Sequence, residues 1–96
     1  MTAAQGREQF IATVLPPALE LATAYTASED DPALFVTTMR RVVSDSMTTS
    51  DPTTATAQLL FGMAALTGIL LDDLCQQSGR DRTDVLAEIH RLYLVP

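Results

Sequence analysis

The sequence predicts an all-α fold: a small four-helix bundle with a kinked first helix and a long central third helix. Three observations carry this. Apolar residues recur at three- and four-residue steps in each segment, which is the period of a helix. Two Asp-Pro pairs, Asp31-Pro32 and Asp51-Pro52, read as helix starts, because the carboxylate takes an orphan N–H and proline suits the first helical position. From Pro52 to Leu71 no residue carries a charge, and the stretch closes on Gly79. With 96 residues, 47% hydrophobic and 19% charged, the chain is composed for one folded domain, residues 1–96, and not for disorder. A core of this size is modest unless another copy shares it.

The first helix is expected over about residues 3–26. Thr2 and Gln5 have capping-box spacing. Phe10, Ile11, Val14, Leu15, Ala18, Leu21, Ala22 and Tyr25 then keep one phase across Pro16-Pro17. Each proline removes an N–H and crowds the preceding turn, so a kink or break is expected at 15–17, with two half-helices on one core face. The second helix, about 32–46, is expected to bury Phe35, Met39, Val42, Val43 and Met47 before fraying in the Ser/Thr-rich Ser44 to Ser50. The third, 52–78, is the spine, roughly 40 Å long at about 1.5 Å per residue. Leu59, Leu60, Met63, Leu66, Leu70 and Leu74 form its main stripe, and Gly79 suits the left-handed position after its last turn. The fourth, 82–94, starts at an Asp81 cap with Asp84 three residues on, and turns Val85, Leu86, Ile89, Leu92 and Tyr93 to one face.

The far side of the spine changes character along its length. Its second half carries Asp72, Asp73, Gln76 and Gln77, a wet face, whereas its first half carries Phe61, Gly62, Ala65, Gly68 and Ile69. A helix apolar all round is buried on both sides. These five residues are therefore the expected interface of a homo-oligomer, a dimer first of all, with small residues admitting a second helix closely. An uncharged run of about twenty residues is also long enough to span a bilayer. Against that, the strongly apolar part covers only Leu59 to Leu71, the start is Thr-rich, and no Lys or Arg brackets it.

Charge narrows the partners further. The net charge is −6 and all six positive residues are Arg, so the surface repels phosphate backbones and anionic membranes while staying soluble. Cys75 is the single cysteine, which excludes an internal disulfide and a cysteine-based zinc site. The opening MTAAQGREQF lacks the basic region and apolar core of a secretory signal, so a cytoplasmic location is expected.

The segment LLDDLCQQSGRDRTDVLAEIHRLYL, Leu70 to Leu94, resembles the paired helices of ribbon-helix-helix DNA-binding proteins: a leucine-rich helix, a Gly-Arg turn and a second amphipathic helix. It covers about a quarter of the chain. The resemblance implies a transcription regulator whose last two helices meet DNA. The strand that this family inserts into the major groove would fall at Ala64 to Ile69, which is helical in period and offers only Thr67 to read a base. Around it Arg80, Arg82 and Arg91 are balanced by Asp81, Asp84 and Glu88, where duplex binding needs excess positive charge.

No enzyme signature is present: no Gly-rich phosphate loop, no HExxH, no nucleophile patterned with His90. Asp72-Asp73 point about 100° apart on a helix and cannot share a proton or one metal unaided. Arg40-Arg41 suits the helix dipole and acidic neighbours more than an anion. Cys75 is expected as a small packed hydrophobe and His90 as a boundary residue, with no catalytic, cofactor-binding or metal site. The reading is a self-associating protein-interaction module. Its rivals are the DNA-binding role and a small-molecule pocket beneath Pro16-Pro17 involving Tyr25, Cys75 or His90.

Overall fold

A computed structural model of the chain describes residues 3–94, with only the backbone of Ala4. Thr2 of the expected capping box and the Val95-Pro96 end lie outside the described residues. The fold is all-α. Four helices follow in order, α1 Ala3–Thr26, α2 Pro32–Thr49, α3 Pro52–Ser78 and α4 Arg82–Tyr93, with no strand among the described residues.

Local chemistry sets the ends. Asp31 caps α2, its carboxylate accepting from the Leu34 N–H at 3.2 Å, with Pro32 at the first helical position. Asp51 does the same for α3: one carboxylate oxygen accepts from the Thr54 N–H at 2.9 Å and the other from the Thr54 hydroxyl at 2.8 Å. Asp81 caps α4 through the Asp84 N–H at 2.9 Å. Gly79 ends α3 with φ +72°, and its N–H returns to the Cys75 carbonyl. Helix α2 runs three residues past the expected fraying point at 46. Its Ser/Thr end is held because Thr48 and Thr49 hydroxyls donate to the Asp45 and Ser46 carbonyls, satisfying acceptors inside the last turn. Pro16 and Pro17 lie inside α1.

The chain forms two compact units, Met1–Leu66 and Thr67–Pro96, and α3 continues from the first into the second. In the first unit α1 and α2 pair antiparallel: Tyr25 meets Phe35 edge-on at 5.5 Å, and Glu20 meets Arg41. The buried residues are Val14, Ala18 and Ala24 of α1, Thr38 and Val42 of α2, and Ala55, Gly62 and Leu66 of α3. On α2 the inward face is therefore Phe35, Thr38 and Val42, while Met39, Val43 and Met47, expected inside, are exposed. The second unit is a helical hairpin of the end of α3 and all of α4, cornered at Gly79.

Candidate interaction surface

Helix α3 has two apolar faces, and the one made of small residues is inside. Ala55, Gly62 and Leu66 stand seven and four residues apart and form its buried stripe. Gly62 is why that stripe can approach α1: a methyl built at Gly62 would run into the carbonyl oxygen of Val14. Beside it Phe61 packs edge-on against Phe10, centroids 4.8 Å apart. The leucine stripe expected in the core points elsewhere. Leu66 is buried and Leu59 half-buried, but Leu60 is 66% exposed, Leu70 58% and Leu74 48%. Close backbone packing, available only at the glycine and alanine positions, decided which face turned inward.

The five residues expected to bind a second copy are thus divided. Gly62 is engaged within the chain by Val14, and Phe61 by Phe10. Ala65 is half-buried. Gly68 is half-buried too, yet nothing lies within 4 Å of a methyl built on it. Ile69 continues the stripe of Gly62 and Leu66 into the second unit, where it is exposed. The leucine stripe is the surface that sequence reasoning assigned to the core, and the pairing of bulky Leu on one face with Gly and Ala on the other was its visible signal.

In the second unit, Val85 is the buried residue of α4. Ile89 and Leu92 follow it at helical steps on the same face but are 48% and 57% exposed, so cover is lost away from the corner. Leu71 and Cys75 of α3 are half-buried. The corner itself is tied by charge. Arg82 pairs with Asp72 across the hairpin, and Arg80 pairs with Glu88 and donates to the Asp84 carbonyl at 3.2 Å. Arg91 lies 3.9 Å from Glu88.

Other candidates take their places around these faces. Every arginine of the last thirty residues has a carboxylate partner, and Ala64 to Ile69, where a groove-reading strand would lie, is helix. The Asp72-Asp73 pair is divided between Arg82 and the side-chain amide of Gln77. An open groove does lie beside Pro16 and Pro17, lined also by Glu20, Arg41, Asp45 and Ser46, but Tyr25, Cys75 and His90 do not line it. Among the described residues no three His, Cys, Asp or Glu side chains converge as a metal site. Asp51 has its carboxyl held below the ordinary carboxylate value by the Thr54 N–H and hydroxyl, which is capping chemistry. By length and composition α3 could cross a membrane. Its stripe of Ala55, Gly62 and Leu66 is, however, taken by protein. No family model, curated protein or solved structure matches this chain.

Proposed function

We propose that this protein is an interaction module, without enzymatic activity, that self-associates through the apolar surface of its central helix and the helix that follows. The exposed apolar side chains carry the reading: Leu60, Leu70 and Leu74 of α3 and Leu86, Ile89 and Leu92 of α4 are each about half exposed or more. Among the described residues nineteen large hydrophobic side chains are exposed, eight of them leucines. Leaving them in water forgoes much of the burial free energy that stabilises a domain, at roughly 25 cal/mol per Å².

Sedimentation equilibrium of the isolated chain over a wide concentration range tests this directly. The expected result is a dimer or higher oligomer that persists to low micromolar protein. A well-folded monomer at every concentration would overturn the proposal, and a shift of duplex DNA at low salt would favour the regulator reading in its place.

A further inference from the structure

We draw no further inference here: the strongest candidate, the open groove between α1 and α2 lined by Glu20, Thr23, Ala24, Ala27, Leu34 and Thr38, is an unpartnered, mostly apolar surface whose one carboxylate is already paired with Arg41, and nothing in the structure shows what covers it.

Discussion

At Gly62 hydrogen is the largest substituent that clears the Val14 carbonyl, while at Gly68, six residues along the same helix, a methyl meets nothing. The two glycines therefore respond to the same change in opposite directions. Gly62→Ala is expected to lower stability by about 1–3 kcal/mol, because backbone and not a pliable side chain stands in the way. Gly68→Ala should raise it by up to about 1 kcal/mol through helix propensity alone. Urea denaturation at one protein concentration reads both. Asp51 supplies a pH-dependent counterpart. Its folded carboxyl titrates below its unfolded value, so the stability it contributes is present above the ordinary carboxylate range and lost as pH falls through the depressed value. Thermal melts should weaken on acidification, and Asp51→Asn should flatten that acid limb; an unchanged limb would show that the Thr54 contacts do not stabilise α3. Such caps were legible in the sequence because they are local: Asp31, Asp51, Asp81 and Gly79 each act within four residues of themselves.

Element by element, helix starts agree with expectation and faces do not. A period of 3.6 marks which residues share a side but not which side faces in when both are apolar. For α3 that choice was made by a contact between chain segments almost fifty residues apart, Gly62 on Val14, and no local pattern carries it. Met39, Val43 and Met47 of α2 were displaced in the same way, by a face centred on Thr38 and Val42. The end of α2 was misplaced for a smaller reason: Ser and Thr read as helix breakers unless their hydroxyls bond back, as Thr48 and Thr49 do. Helix α1 tests the prolines. Pro16 is exposed inside a helix, where it withholds an N–H from the Ala12 carbonyl. Pro16→Ala should raise stability by about 1–3 kcal/mol in chemical denaturation, and a loss would show that the ring supports the neighbouring groove.

For the whole molecule, what the sequence made legible was a surplus of apolar surface on α3, because a helix apolar all round advertises more than one chain can cover. Its location was not legible, since Phe61 and Gly62 found cover inside the chain and the leucine stripe did not. If the uncovered faces close between copies, apparent stability depends on protein concentration, and the melting temperature should rise with each tenfold increase in protein. A melting temperature independent of concentration would count against any self-association.

The hairpin open beyond Val85 bears on how long the chain lasts in a cell. Proteases act on segments that open, and an opening held shut by a second molecule becomes more frequent as copies grow scarce. If self-association closes the hairpin, cleavage falls within α4 first and accelerates on dilution, so that newly made chains survive only once enough of them have accumulated to meet. Turnover, not a ligand, would set a lower threshold on the amount of this protein.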